Sequence, residues 1–363
     1  MLSFSLGEEE MKKIVYYVSE YGFGHAARSI ALIRGILEQR AQTQIEVVNQ
    51  YASVFLKESL PYSNVSHYHF SSDIGYVLKA GSVLPDKDKQ IEGIERYLTT
   101  YPSLIDSEVE RLRNKKVDLI LSDISPLAFE VANQLEVPSI GISNFTWFTA
   151  FLDLVPLEVL GPLKSSYEKM DYFFALAGSN EQSIKPTHQF RFYSRRVDNT
   201  EVDKIRSKIG RNKKLVFLGL GMKMDLSDLQ NLPIWNSPNF HFVVSSNLSI
   251  DHPNVSIIEK NYIETQNYIA ACDLVITKAG WGTIAESVVA GVPLLIIERE
   301  GMKEDQYTIN YLLENNLGRT IRIEEFEELI LNDENFVKYT DYYSSLYSNS
   351  VDEIAKEVLK LIP

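Results

Sequence analysis

The chain has 363 residues, 45% of them hydrophobic and 23% charged, with a formal net charge of −13 and one cysteine, Cys272. That length exceeds a comfortable single core and predicts two domains, while the acidic balance argues against a nucleic-acid surface, whose phosphates demand clustered Lys and Arg. A lone cysteine permits neither an intrachain disulfide nor a Cys-based zinc site and fits a reducing cytoplasm, and no apolar run is long enough to span a bilayer or reads as a signal peptide.

In chain order, MLSFSLGEEE reads as a disordered acidic extension before Met11. KIVYYVS (13–19) predicts a strand, and HAARSIALIRGILEQR (25–40) a helix with Ile30, Ile33 and Leu37 on one face. QIEVVNQ (44–50) is a second strand, and VDLILSD (117–123), SPLAFEVANQLE (125–136) and VPSIGISN (137–144) form strand, helix and strand. The polar, aperiodic stretch 181–204 predicts a linker. KKLVFLGLG, FHFVVSS, VSIIEK, CDLVITKAG and PLLIIE then read as buried strands, and SVDEIAKEVLKLIP as an amphipathic helix with Val351, Ile354, Val358 and Leu361 on one stripe. Such β–α alternation predicts an α/β protein of parallel sheets with helices on both faces. The expected architecture is two doubly wound, Rossmann-like domains facing a central cleft. Residues 11–196 form the first and 197–340 the second, and the 341–363 helix packs back on the first.

Ligands of such sheets sit beyond the carboxyl ends of the strands. Gly22, Gly24 and Ala27 match a G-x-G-x-x-G/A turn between the first strand and its helix. A dinucleotide site also needs an acid at the end of the second strand, and that strand ends in Asn49 and Gln50, so NAD is rejected. The glycines instead let a second molecule approach the helix N-terminus. His25 falls in the first helical turn, where the helix dipole favours neutral imidazole, a general base. Asp123, ending VDLILSD, is the expected carboxylate partner of His25, with capping of the next helix as its bland alternative.

In DLVITKAGWGTIAESVVAGVPLLIIEREGMKEDQYTIN (273–310), a strand ends at Lys278 and turns into a helix. Gly280 and Gly282, with Thr283 at the N-cap, expose backbone N–H groups to an anion such as phosphate. Thr283 and Glu286 have the spacing of a capping box. The alternative is that Glu286 accepts hydrogen bonds from a ribose diol.

GWGTIAES…AGVPLLII…EDQ…N resembles the donor-binding signature of GT-B glycosyltransferases, nearest in pattern to the UDP-glycosyltransferases and MurG-like enzymes. The resemblance implies that Glu286 holds the nucleotide's ribose and that Gly282 and Thr283 contact the diphosphate. It places Asp305 and Gln306, with Glu304 beside them, on the sugar, and the backbone at Tyr262 and Ile263 on the base. FLGLGMK (217–223) is loosely similar to the phosphate loop, which adds Gly219, Gly221 and Lys223. GFGHAAR, LSDISPLA and SNFTW resemble the glycosyltransferase-like portion of plant L-arabinokinases. Gly22, Gly24, Arg28 and Asn144 are expected on the acceptor side. The glycine-histidine turn also resembles that of MurG and the UDP-glycosyltransferases, which implies His25 as the catalytic or acceptor-side histidine and, from the latter family, Asp123 as its partner.

The function implied is transfer of a hexosyl or N-acetylhexosaminyl group from a UDP-linked sugar to an acceptor hydroxyl, inverting, with no metal and no cofactor. Arg28 departs from the MurG-type turn. The acceptor stays open among saccharides, lipid-linked molecules and small molecules, and peripheral contact with the inner face of the membrane stays open with it. A nucleotide-sugar hydrolase or epimerase, or a non-catalytic nucleotide-sugar-binding module, are the alternatives. Three other features read as structural: Asp86 and Asp88 as a solvated loop, the basic RLRNKK (111–116) as an exposed helix end, and the aromatic 144–160 as a helix packed on the first domain.

Overall fold

The computed structural model describes residues 11–79, 84–210, 212–220, 229–299, 301–342 and 347–362. The first sheet is built from β1 (Lys13–Val18), β2 (Gln44–Val48), β3 (Val65–Tyr68), β4 (Leu119–Asp123), β5 (Ser139–Ser143), β6 (Tyr172–Ala175) and β7 (His188–Gln189). The second contains β8 (Lys214–Gly219), β9 (Phe240–Val244), β10 (Val255–Ile257), β11 (Leu274–Lys278), β12 (Leu294–Ile297) and β13 (Arg319–Ile321). The helices are α1 (Phe23–Gln39), α2 (Ser53–Ser59), α3 (Lys87–Leu112), α4 (Leu127–Leu135), α5 (Trp147–Ala150), α6 (Leu157–Tyr167), α7 (Asn199–Ile209), α8 (Gln266–Ala270), α9 (Trp281–Ala290), α10 (Lys303–Glu314), α11 (Ile323–Glu327), α12 (Asp333–Thr340) and α13 (Val351–Lys360).

All strand pairs are parallel, in the orders β3-β2-β1-β4-β5-β6-β7 and β10-β9-β8-β11-β12-β13. Every residue of β4 and β5 is buried, as expected where helices cover both faces of a sheet. Each strand order reverses once, between β1 and β4 and between β8 and β11, which marks the switch points where doubly wound sheets bind ligands. At the first, Val18 and Asp123 are register partners at the strand ends. At the second, Thr277 lies beside Gly219 and donates its hydroxyl to the Gly219 carbonyl at 2.7 Å. One apolar cluster runs from the first sheet through α1 and α13 to the facing side of the second. Val351, Ile354, Ala355 and Val358 are the buried stripe of α13.

Residues 181–204 are not a free linker. They contain β7, the buried Phe190, Phe192, Tyr193 and Arg195, and the start of α7, where the Asp198 carboxylate caps Thr200 and Glu201. Residues 144–160 are not one helix either. Thr146 caps the short α5, and α6 begins after Pro156. The aromatic content of that segment is consumed by burial: Trp147 is fully buried, stacks on Phe151 at 5.1 Å and donates from Nε1 to Asp73 at 3.1 Å.

Asp86 is the N-cap of α3 and accepts from Lys89 N, so the Asp86–Asp88 pair belongs to a helix start and not to a solvated loop. Arg111 is not simply exposed. Its guanidinium bonds Glu108 and Glu46 and covers the Tyr68 ring at 3.9 Å.

Candidate active site

The first switch point assembles a buried charged cluster. Gly22 is the N-cap of α1 with φ 98°, so the chain leaves β1 and starts the helix two residues before His25. His25 Nδ1 is 3.0 Å from Asp123 Oδ1. Arg28, one turn further along α1, donates from Nε to Asp123 Oδ2 at 2.8 Å and from Nη2 to Asp123 Oδ1. Its Nη1 donates to Asn144 Oδ1 at 2.9 Å and its Nη2 to Ser143 Oγ at 3.2 Å.

Nη2 also lies 3.0 Å from His25 Nδ1. With its proton on Nδ1, directed at Asp123, a neutral His25 carries its lone pair on Nε2. Asp123 does not cap α4, whose N-cap is Pro126. Ile124, immediately after it, is held at φ 70°, a strained value for a β-branched residue, with its carbonyl accepting from the Tyr167 hydroxyl at 2.5 Å.

Burial lowers the pKa of His25. Asp123 pulls it back up and Arg28 pushes it further down. Desolvation outweighs the electrostatic effects, so the neutral imidazole expected from the helix dipole has burial as its chief cause. Burial also disfavours the Asp123 carboxylate, yet Arg28 and His25 overcome this and hold its pKa at about 2.

The second switch point faces the first across a cleft of about 230 Å³. Gly22, Gly24, His25, Arg28 and Asn144 line it from one side, and Gly280, Gly282, Thr283, Glu304 and Asp305 from the other. The N-termini of α1 and α9 meet here, and neither helix carries an acid in its first turn. Their first N–H groups have no intrahelical acceptors, so two uncompensated positive dipole ends converge on one space.

The capping box does not form. α9 begins at Trp281 with Gly280 as N-cap and without a side-chain cap, so Thr283 is already inside the helix. The Glu286 carboxylate pairs instead with Arg195, Oε1 accepting from Nη2 at 2.7 Å. Glu286, Tyr262 and Ile263 lie outside the cleft lining. Glu286 and Ile263 meet at Arg195, whose Nη1 donates to the Ile263 carbonyl at 2.6 Å, while Tyr262 packs on Tyr268. Gly219 packs behind Thr283. Gln306 faces solvent on α10, while Gly221 and Lys223 lie outside the described residues.

Sequence reasoning missed several residues. Arg299 donates to Asp305 Oδ2 at 2.7 Å from Nε, and its place just beyond β12 was the available signal. Trp281 donates from Nε1 to the Ala177 carbonyl at 2.9 Å, bridging the two halves, and Arg28 stacks over its ring at 5.1 Å. The Tyr76 hydroxyl donates to Glu304 Oε2. Burial and the neighbouring Asp305 push the Glu304 carboxyl up to about 7. Among the described residues no group of three or more His, Cys, Asp or Glu could hold a metal, and no helix is long and apolar enough to cross a membrane.

Residues 239–333 match the glycosyltransferase family 28 C-terminal domain. Over 319 residues the chain is 23% identical to an L-arabinokinase of Arabidopsis thaliana, covering 82% of this chain but only 29% of that protein. It is 25% identical over 344 residues to an uncharacterized glycosyltransferase of Methanosarcina acetivorans, covering 88% of each. The fold is similar to the glycosyltransferase SnogD from Streptomyces nogalater, with a TM-score of 0.61 at 14% identity over 98% of this chain and 100% of that one. It is also similar to Phytolacca americana UGT2 complexed with UDP-2-fluoro-glucose and pterostilbene, with a TM-score of 0.62 at 14% identity over 96% and 99%. Residues 239–333 thus resemble a glycosyltransferase family 28 C-terminal domain, within a two-domain fold shared with GT-B glycosyltransferases, and these likenesses support sugar transfer.

Proposed function

We propose that the chain moves a hexosyl or N-acetylhexosaminyl group from a UDP-linked donor to an acceptor hydroxyl, with inversion and without a metal. The observation that carries this reading is the meeting of two acid-free helix N-termini over a cleft that also holds His25. His25 Nε2 takes the proton of the acceptor hydroxyl as its oxygen attacks the anomeric carbon. Asp123 holds the imidazole in the required tautomer and stabilises the imidazolium. Charge building on the leaving diphosphate is met by the N–H groups at Gly282 and Thr283. Glu286 and the Ile263 backbone hold ribose and base, and Glu304 and Asp305 meet the sugar. UGT2, a structural neighbour solved with a UDP-sugar analogue, supports a UDP donor.

The test is a thermal-shift series with UDP, GDP, dTDP, CMP and ADP, followed by assay of the UDP-sugar with and without acceptors. A ligand at about 100 times its Kd stabilises the native state by ~2.7 kcal/mol, which is readily seen. A shift with UDP and acceptor-dependent consumption of the donor support the reading. Equal release of free sugar without acceptor converts it to a hydrolase, binding without turnover converts it to a binding module, and no shift with any nucleotide overturns the donor site.

A further inference from the structure

Arg195 lies on the segment between β7 and α7, and its residue is only 2% exposed. Its guanidinium reaches three groups that belong to the C-terminal half. Nε and Nη2 donate to Glu286 Oε1 at 3.1 and 2.7 Å, Nη1 donates to the Ile263 carbonyl at 2.6 Å, and Nη2 donates to Thr265 Oγ1 at 3.0 Å. The Phe55 ring of α2 covers the guanidinium at 5.7 Å.

The pairing with Glu286 is one-sided. An arginine facing a carboxylate commonly engages both oxygens as a fork. Here two N–H groups go to Oε1, and Oε2 receives no hydrogen bond from the described residues. The remaining donors of the fork are turned onto the loop that carries Ile263. One rigid planar group therefore sets the distance between a carboxylate on α9 and a loop backbone ahead of α8, while one carboxylate oxygen is kept available.

We infer that Arg195 is a positioning residue for the nucleoside half of the donor. It anchors Glu286 through Oε1 so that Oε2 accepts the ribose hydroxyls, and it fixes the backbone at Ile263 against which the base lies. This rests on the reading of Glu286 and Ile263 as ribose and base contacts. Arg195 sits behind both groups, so it acts through them, and its loss bears on the nucleoside and not on the diphosphate, whose N–H donors lie a turn earlier on α9. A lysine retains the charge but has neither the fork nor the reach to three acceptors.

The experiment is calorimetric titration of the full chain with UDP and, separately, with inorganic pyrophosphate, for wild type, Arg195→Lys, Arg195→Gln, Glu286→Gln and the Arg195→Gln/Glu286→Gln pair, with KM and kcat for the UDP-sugar. Arg195→Gln is expected to weaken UDP by about tenfold or more, the scale of a lost charged hydrogen bond, with pyrophosphate affinity unchanged within about twofold. KM rises while kcat at saturation holds, Arg195→Lys recovers part of the loss, and the double variant binds UDP little worse than Glu286→Gln alone. If Arg195→Gln does not fold, the lysine variant carries the comparison. Wild-type UDP affinity in the Arg195 variants, or equal loss of UDP and pyrophosphate, overturns the inference while leaving the donor site standing. A wild-type chain that binds pyrophosphate but no nucleoside diphosphate overturns the donor reading and this inference together.

Discussion

Gly24 and Gly282 meet backbone to backbone across the cleft: a Cβ built on Gly282 would stand 2.9 Å from the Gly24 Cα and 3.2 Å from its carbonyl oxygen. The relationship is not symmetrical. A Cβ on Gly24 finds nothing nearer than the Gly282 N at 3.7 Å, ordinary van der Waals contact. The glycine of α9 is thus required by the approach of the two halves, whereas that of α1 tolerates a methyl group.

Replacing Gly282 by Ala should cost ~1–3 kcal/mol of overpacking, because the neighbour is backbone and cannot rotate aside. Gly24→Ala should be neutral or slightly stabilising, since alanine is the better helix former. Thermal unfolding of the two variants checks this. Equal melting temperatures would mean that the close approach is not maintained in solution.

His25→Ala should lower kcat by ~10²–10⁴-fold, the usual contribution of a general base, with the UDP-induced thermal shift retained. Asp123→Asn should lower kcat as well, but it also strips the buried Arg28 of its partner, a loss worth about 3–5 kcal/mol of stability. The histidine variant is therefore the cleaner comparison. Full activity in His25→Ala would remove the base from this position.

Most strands and the two glycine turns were legible because each carries a local signal: apolar runs of β-branched residues, and glycines at a strand–helix junction. Strand β7 was not, because its two polar residues, His188 and Gln189, give no period, and the start of α7 and the buried Phe192 were folded into the same supposed linker. The place of Glu286 was half legible. Its spacing from Thr283 suggested a cap, but the helix starts at Trp281, whose indole bonds the Ala177 carbonyl, a partner distant in sequence. Arg195 and Arg299 were missed because their partners are distant in sequence or lie beyond a strand end. A buried arginine looks like a solvated one until the fold brings its carboxylate.

The pH dependence of kcat/KM should follow His25. A base works when deprotonated, and burial with Arg28 holds the His25 pKa below its ordinary 6.5, so the acid limb of the wild-type profile should lie below pH 6.5. Arg28→Gln removes a positive charge that lowers this pKa, keeps an amide able to bond Asp123 and Asn144, and should move the acid limb to higher pH. A profile unchanged in the variant would mean that Arg28 serves the structure alone.

Glu304→Gln separates stability from recognition. The folded-state pKa of Glu304 is raised from 4.5 to about 7 by burial and by Asp305, so the folded chain binds an extra proton between those values. Its stability should fall as pH rises through that window, and the cost of the buried charge should be complete above pH 7. Glutamine carries no charge and its carbonyl still accepts from the Tyr76 hydroxyl. The variant should therefore melt a few degrees higher than wild type at pH 8 and show little gain at pH 5, a difference that thermal scans at the two pH values resolve. On the proposed function the same substitution removes a carboxylate that faces the donor sugar, so KM for the UDP-sugar should rise while affinity for UDP alone stays unchanged. A stability gain equal at both pH values would show that Glu304 remains ionised throughout. Loss of UDP affinity would place Glu304 on the nucleotide and not on the sugar.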